Sequence, residues 1–417
     1  MRLWAIVVTI ILTQITPAFG VGSSPYAEIE FHLSTFTKGL TQQTVSQSFQ
    51  DTRGTLWIVT QEGLNKYTGH TLENYRYSQK NPSSLSTDSV TRIAEDINGD
   101  LWISTLGGGL NKYNASTNSF SAIFSKANNP QSPYSNDIHT IYSDSNGLLW
   151  LGYTNGFGYF DPTNRNFVHY LSDRDDIPYL GRVLDFTQTD DGNIWAATEY
   201  GGLIHIDSSS RNVSAFRSIL STEASEPPTL TRVIATKTGD LWIGTRNKGV
   251  ILFRPNKNTI TRFQYSGDDI SSISSNKIRD IFEDDQGKIW LATDEGLNLF
   301  DKENYSFIRF TNSNSGLPDN VIYSVYQTRE GKYWIGTVFG LATGTRTHFP
   351  KFDNSIARLS SNSVNAFGET SDGSLWVGTD DGLNRLRDGK NEFEWINEST
   401  EPSISSSTVM SLHGEAG

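Results

Sequence analysis

The sequence predicts an all-β fold, a ring of four-stranded antiparallel blades, on three observations. First, the phrase Gly-x-apolar-Trp-apolar occurs eight times, centred on Trp57, Trp102, Trp150, Trp195, Trp242, Trp290, Trp334 and Trp376, with gaps of 42 to 48 residues. Second, each interval carries four short runs of β-forming residues separated by Gly, Asp and Asn turns. Third, a unit of that size buries too little apolar surface to stand alone, so its copies must stack. Stacked in a ring, such blades form a β-propeller.

The elements follow in order. Arg2, the apolar run Leu3 to Leu12 and the small residues of Pro17-Ala18-Phe19-Gly20 form the pattern of a secretory signal peptide over residues 1–20. The run is too short to span a bilayer core of ~30 Å, and no later segment reaches the ~18 apolar residues a membrane helix needs. The second repeat shows the strand plan. Val90, Ile93 and Ala94 lie in a first strand, Asp96-Ile97-Asn98-Gly99 is a tight turn, and Leu101 to Thr105 is a second strand. Gly107-Gly108-Gly109 turns into Leu110 to Tyr113, and Phe120 to Phe124 is the fourth. The turn glycine is expected at positive φ. The tryptophan is expected between neighbouring blades, with its indole N–H on an acceptor. A ligand-binding tryptophan stack is the alternative, and repetition in every unit favours a core role. The threonines of Gly244-Thr245, Gly336-Thr337 and Gly378-Thr379 are expected to donate within or between blades.

Seven blades are expected to close one ring over residues 21–352. Glu28 to Phe36 reads as a fourth strand lacking its first three, able to pair with the last blade, and the seventh unit diverges at Ala342-Thr343-Gly344-Thr345. Residues 353–417 then hold the first blade and the beginning of another of a second, truncated propeller. A ring of eight blades is the alternative. The segment Ile404 to Leu412 repeats the pattern of Ile273 to Ile281, which places a ninth tryptophan just past Gly417 and implies a longer protein.

Composition limits the function. The formal charge is −12, against the clustered Lys and Arg of nucleic-acid binders. There is no cysteine, so disulfides, thiolate zinc sites and Cys nucleophiles are excluded. The seven histidines form no pair at ligand spacing, and no Gly-x-Ser-x-Gly elbow occurs. No metal, cofactor or catalytic residue is expected. Paired carboxylates such as Asp190-Asp191 and Asp380-Asp381 sit at the repeated turns, where Asp accepts backbone hydrogen bonds. Asp190-x-Gly192-x-x-Trp195 resembles the Asp-box of sialidase-type propellers, but the other units place the Asp one residue further away.

The repeats running from Asp96 to Tyr113 and from Asp284 to Phe300, with the linker Asn81-Pro82-Ser83-Ser84-Leu85-Ser86, resemble the two-component regulator propeller repeat. The resemblance extends from Gly39 to the end. It implies the extracytoplasmic sensor region of a membrane receptor with one or two seven-bladed propellers, a small β-sandwich and one membrane helix. The output it implies is a histidine kinase, often hybrid, or a diguanylate cyclase, and many kinase members sense oligosaccharides. A periplasmic location, a homodimeric receptor and a membrane contact only through a helix outside this chain follow from the same resemblance.

Ligand residues are sought where loops depart from the repeat at one mouth of the ring. Tyr153, Asn155, Glu199, Tyr200, Arg246, Asn247 and Phe339 meet that criterion. Aromatic faces with polar tips suit a small-molecule or oligosaccharide ligand. A secreted enzyme, similar to streptogramin lyases or a glycosidase, is the competing class, with His139 as its one hint, and a protein-binding scaffold is a third. If the receptor reading holds, sequencing the locus past the Gly417 codon is expected to find a ninth repeat, a membrane helix and an output domain. A stop codon there would instead favour a secreted binder or enzyme.

Overall fold

A computed structural model describes residues 29–127, 129–172, 177, 179–217, 228–346, 359–361, 363–370, 372–387 and 393–412. The signal-peptide segment and the expected boundary at 352 lie outside these residues. The described chain is almost wholly β and forms eight four-stranded antiparallel sheets. Two compact units result, one spanning Glu30–Arg346 and one holding the segment from Thr347 onward.

Seven blades make up the first unit. Their first strands are Val45–Gln50, Val90–Glu95, Thr140–Ser143, Val183–Gln188, Leu230–Ala235, Ile278–Glu283 and Ile322–Gln327. Each of these strands neighbours the first strand of the next blade, and Ile322–Gln327 returns to Val45–Gln50, so they line a central channel. The seventh blade has only three strands from its own repeat. Its fourth position is filled by Ile29–Leu33, next to Gly340–Arg346. Joining the start of the ring to its last blade gives that blade the same four-stranded width as the others and covers the edge of Gly340–Arg346.

The repeat tryptophans hold blade to blade. Trp57 packs with Val90, Ile93 and Leu101 of the second blade, and Trp334 with Val45, Leu56 and Ile58 of the first. Trp102, Trp150, Trp195 and Trp242 sit in the corresponding clusters between successive blades. Trp290 meets Tyr333 of the seventh blade at 5.2 Å between centroids. Hydrogen bonds cross the same interfaces. Gln47 accepts from Ile93 N at 3.0 Å, Asp185 from Val233 N at 3.1 Å and Asp280 from Val325 N at 3.0 Å. Gln50 closes the ring by accepting from Arg329 N at 3.0 Å.

Two buried polar devices explain recurring letters of the repeat. In blades 1, 2, 3 and 6 an aspartate caps the first turn. Asp144 Oδ1 accepts from Asn146 N and Leu148 N, while Oδ2 accepts from Trp150 Nε1 at 2.9 Å. Asp51, Asp96 and Asp284 do the same for Trp57, Trp102 and Trp290. Threonine replaces it as Thr189, Thr236 and Thr328, and the buried indole N–H groups of Trp195 and Trp334 make no hydrogen bond among the described residues. The indole acceptor expected from the sequence is thus present only in some blades. The second device is the asparagine of Gly-Leu-Asn. Fully buried Asn298 accepts from Ser274 N at 2.8 Å and donates to Ser274 Oγ at 2.8 Å, and that hydroxyl pairs with Thr293 at 2.9 Å. This fastens the connecting loop to the end of the second strand. The threonines of the Gly-Thr pairs donate within their own blade: Thr245 Oγ1 to Gly249 O at 2.7 Å and Thr337 Oγ1 to Gly340 O at 2.9 Å.

The second unit contains one complete sheet, Val364–Glu369, Leu375–Thr379, Gly382–Leu386 and Glu394–Ile396. It repeats the asparagine device through Asn384, Ser360 and Thr379. Trp376 is only half-buried there, and Phe367 is 68% exposed. Both belong to faces that a neighbouring blade covers in the first unit.

Because Asp144→Ala strands a buried indole N–H and two turn amides, it is expected to cost about 2–3 kcal/mol in urea unfolding. Thr328→Asp supplies the missing acceptor for Trp334 and is expected to stabilise by about 1 kcal/mol.

Candidate functional site

The first strands do more than line the channel. In six of the seven blades the ladder between first and second strands shifts register at its start, as between Val90 and Arg92, Val183 and Asp185, and Ile278 and Asp280. A bulge of this kind re-aims the extra side chain. The bulged residues are Ser46, Thr91, Leu184, Thr231, Arg279 and Tyr323, and all of them line one cavity of about 740 Å³. In the third blade, which has no shift, His139 takes the corresponding place in the wall. These seven positions form a ring at the channel mouth. The residues that follow, Gln47, Arg92, Thr140, Asp185, Arg232, Asp280 and Ser324, form a second ring below it. Lys277 and Arg246 complete the charged part of the wall.

Carboxylates behind the wall hold several of its cations. Asp280 pairs with Arg232 at 3.0 Å, and Asp294 pairs with Lys277 at 2.7 Å and with Arg279. The Arg279 guanidinium also lies 4.1 Å over the Tyr323 ring. Burial pushes the carboxyl of Asp185 up to about 7 and that of Asp280 to about 6, against the pull of Arg92 and of backbone N–H donors. His139 bonds Thr154 at 2.9 Å, and burial followed by Arg182 lowers its pKa.

The loop residues singled out from the sequence divide. Arg246 is in the cavity wall. Glu199 sits 3.8 Å from it and receives two hydrogen bonds from Arg182 at 2.9 and 3.0 Å, which hold its carboxyl below the usual range. Tyr200 is exposed and stacks on Tyr179 at 5.8 Å. Asn155 adopts φ 60° and its N–H donates to Gly181 O at 2.6 Å, beside Arg182. Asn247 is exposed next to Arg246. Phe339 is exposed on the seventh blade, outside the cavity wall. Tyr153 corrects the sequence reading: it is fully buried, against Tyr134 and His169, because its strand carries it into the blade core. The bulge ring was missed. Its signal is present in the sequence as the variable residue that follows the buried apolar residue opening each first strand.

Among the described residues no cluster of three or more His, Cys, Asp or Glu is arranged to hold a metal, and no helix is long and apolar enough to cross a membrane.

Comparison with known proteins gives a consistent picture. Four segments, residues 84–107, 272–295, 316–339 and 358–381, match the two component regulator propeller family. The chain carries this repeat. A stretch of 48 residues is 44% identical to histidine kinase P4 of Formosa agariphila, covering 12% of this chain and 4% of that protein. The fold is similar to the extracellular domain of the hybrid two component system BT3049 of B. thetaiotaomicron, with TM-score 0.65 and 26% identity over 89% of this chain. It is also similar to the extracellular domain of BT4673 from the same organism, with TM-score 0.63 and 20% identity over 92% of this chain. The chain spans about half the length of either structure, 49% in both cases. Virginiamycin B lyase of Staphylococcus aureus shares the fold alone, with TM-score 0.57 and 12% identity over 76% of this chain and 99% of that one.

The raised Asp185 carboxyl carries a pH signature. Folding favours its protonated form, so its contribution to stability is whole below its ordinary value of 3.8 and is lost as pH rises towards about 7. Asp185→Asn keeps an acceptor for Val233 N and removes the titration. Unfolding curves across that window are expected to show stability shifting in favour of the variant, relative to wild type, as pH rises.

Proposed function

We propose that this two component regulator propeller is the extracytoplasmic sensing region of a membrane receptor, and that a saccharide binds at the mouth of its ring. The observation that carries the reading is the division of positions. The tryptophans recur to hold blade to blade, and the turn aspartates and loop-fastening asparagines recur to hold each blade's own turns and loops. The ring of Ser46, Thr91, His139, Leu184, Thr231, Arg279 and Tyr323 differs from blade to blade and faces a cavity of about 740 Å³. A fold that demands repetition yet varies at its mouth is spending those positions on recognition. The size is in the range of ligand pockets, and hydroxyls, guanidinium groups and one tyrosine are the groups that take sugar hydroxyls and C–H faces.

Likeness to extracellular parts of two component systems supports the sensor role over catalysis. Occupancy of the ring would bias the receptor between two arrangements, and the ligand need only prefer one of them. The output, a histidine kinase or a diguanylate cyclase, belongs outside this chain, as do the membrane helix and the contacts of a receptor dimer. Export to the periplasm accords with the leader-like start of the sequence.

One observation favours a second reading. His139 lies in the cavity wall with a lowered pKa, as a general base would. Its partner is Thr154, not a carboxylate, which leaves the ring without the orienting group such a base uses.

Calorimetric titration against an oligosaccharide panel is expected to find saturable binding without turnover. Tyr323→Ala is expected to weaken it about tenfold, ~1.4 kcal/mol, with little change in melting temperature. Product formation that is lost on His139→Ala would overturn the sensor reading in favour of an enzyme.

A further inference from the structure

We infer that the ligand of the ring carries an anionic group, a carboxylate or a sulfate ester, and that Arg92 is its principal partner. That the ligand is a saccharide rests on the reading above; its charge is argued from the channel wall alone.

The cavity wall presents Arg92, Arg232, Arg246, Lys277 and Arg279, and it contains no Asp or Glu. This concentration of cations runs against a chain whose formal charge is −12. The acids close to the wall stand behind it. Asp280 holds Arg232, Asp294 holds Lys277 and Arg279, and Glu199 lies 3.8 Å from Arg246. They fix the cations in place and leave the face towards the channel positive.

Arg92 differs from the other four. Among the described residues its guanidinium makes no hydrogen bond or ion pair, although its charge acts on both Asp185 and Asp280. It lines this cavity and also a second one of about 310 Å³, bounded by Gln47, Glu95, Tyr142 and Asp185. It therefore stands at the floor of the mouth, where a ligand entering the ring meets it last. A guanidinium offers five donors in a planar fork that matches carboxylate and sulfate oxygens two at a time. In a channel walled by protein, its field on an entering anion is screened less than it would be at an open surface. A neutral sugar would leave that fork to water. A carboxylated or sulfated sugar would use it, with Tyr323 left for the uncharged parts of the sugar and the hydroxyl oxygens of Ser46, Thr91 and Thr231, whose protons go to backbone carbonyls, left to accept from its hydroxyls.

The test uses the chain with its ring intact. Equilibrium dialysis with radiolabelled inorganic sulfate in sodium chloride at ~0.15 M is expected to show one saturable site. Arg92→Gln is expected to weaken it at least tenfold, whereas Arg53→Gln, at an exposed turn away from the channel, leaves it unchanged. Should Arg92→Gln not fold, Arg92→Lys keeps the charge without the fork and is expected to bind sulfate more weakly than wild type. Titration with glucuronate against glucose separates the sources: preference for glucuronate points to a carboxylate, and sulfate displaced only by a sulfated sugar points to a sulfate ester. Non-saturable sulfate uptake, or equal uptake by the Arg92 variants, overturns the inference. Neutral oligosaccharides that bind the ring independently of Arg92 also overturn it, while leaving the saccharide-sensing reading intact. Arg92-dependent sulfate binding that no sugar displaces upholds the anion site and overturns the saccharide reading instead.

Discussion

A four-stranded blade has two apolar faces, and only another blade can cover them. Everything else in the first unit follows from that constraint. Each repeat places a tryptophan on its second strand, and that ring is buried only when the next blade arrives. Trp57, Trp150 and Trp290 are at most 1% exposed, while Trp376 in the second unit is half-buried. The stacking closes on itself when Trp334 finds Val45, Leu56 and Ile58 of the first blade. Closure in turn needs a fourth strand for the seventh blade, which Ile29–Leu33 provides from the far end of the sequence. Ring closure of this kind holds the two ends of the unit together without a disulfide, in a chain that has no cysteine.

Within that frame the repeat tolerates loss of one polar device or of both. The turn aspartate is replaced by threonine in several blades, and the loop-fastening asparagine is replaced by Gly158, Ile204, Ile251 and Ala342. An indole N–H left without an acceptor costs a kcal/mol or a few. The burial of the ring itself is worth as much or more and is kept in every blade of the first unit. Hydrophobic closure is therefore the invariant term, and the hydrogen-bonded turns sharpen it. Blades 1, 2 and 6 have both devices, blade 3 has the aspartate alone, and blades 4, 5 and 7 have neither; the seventh gains the added N-terminal strand and the Gln50–Arg329 contact.

The fold was legible because its dominant interaction is written in the least ambiguous residue. Tryptophan at a constant interval, preceded by a turn glycine, leaves few alternatives to a stack of hairpins. The site was legible only in part. Arg246, Glu199 and Tyr200 stand out because they break the pattern in the loop between second and third strands, and of these Arg246 lines the cavity, with Glu199 3.8 Å from it. Tyr153 breaks the same pattern for a different reason: it takes the place of the threonine that ends the second strand, a position buried in every blade of the ring, as at Thr105, Thr245 and Thr337. The bulge ring escaped because its mark, a variable residue after the apolar residue that opens each first strand, does not distinguish a bulge from regular alternation. Val-x-Gln, Val-x-Arg and Ile-x-Asp look like ordinary alternation, with x on the solvated face. In the ring that face is the channel. Polar residues at Gln47, Arg92, Asp185, Arg232 and Asp280, on strands that point to the centre of the molecule, were the clue that a periodicity argument passes over.

Those polar residues also set the electrostatics of the channel. Ionised carboxyls at Asp185 and Asp280 are disfavoured by burial, which is why both are raised towards neutrality. A core assembled only for stability would fill these positions with apolar residues, since replacing buried ionic groups by well-packed apolar ones is commonly neutral or favourable. The ring instead keeps charges there, staggers them between blades and opens them to a cavity. The carboxyls bridge to backbone N–H groups of the adjoining blade, at Val233 and Val325, and so couple the charge of the channel to the contacts between blades. A ligand that changed the electrostatic balance at Arg92 would act directly on the two carboxyls that join blade 4 to blade 5 and blade 6 to blade 7. In a closed ring no interface can shift without its neighbours. The channel wall is thus made of the strands through which every blade meets its neighbours.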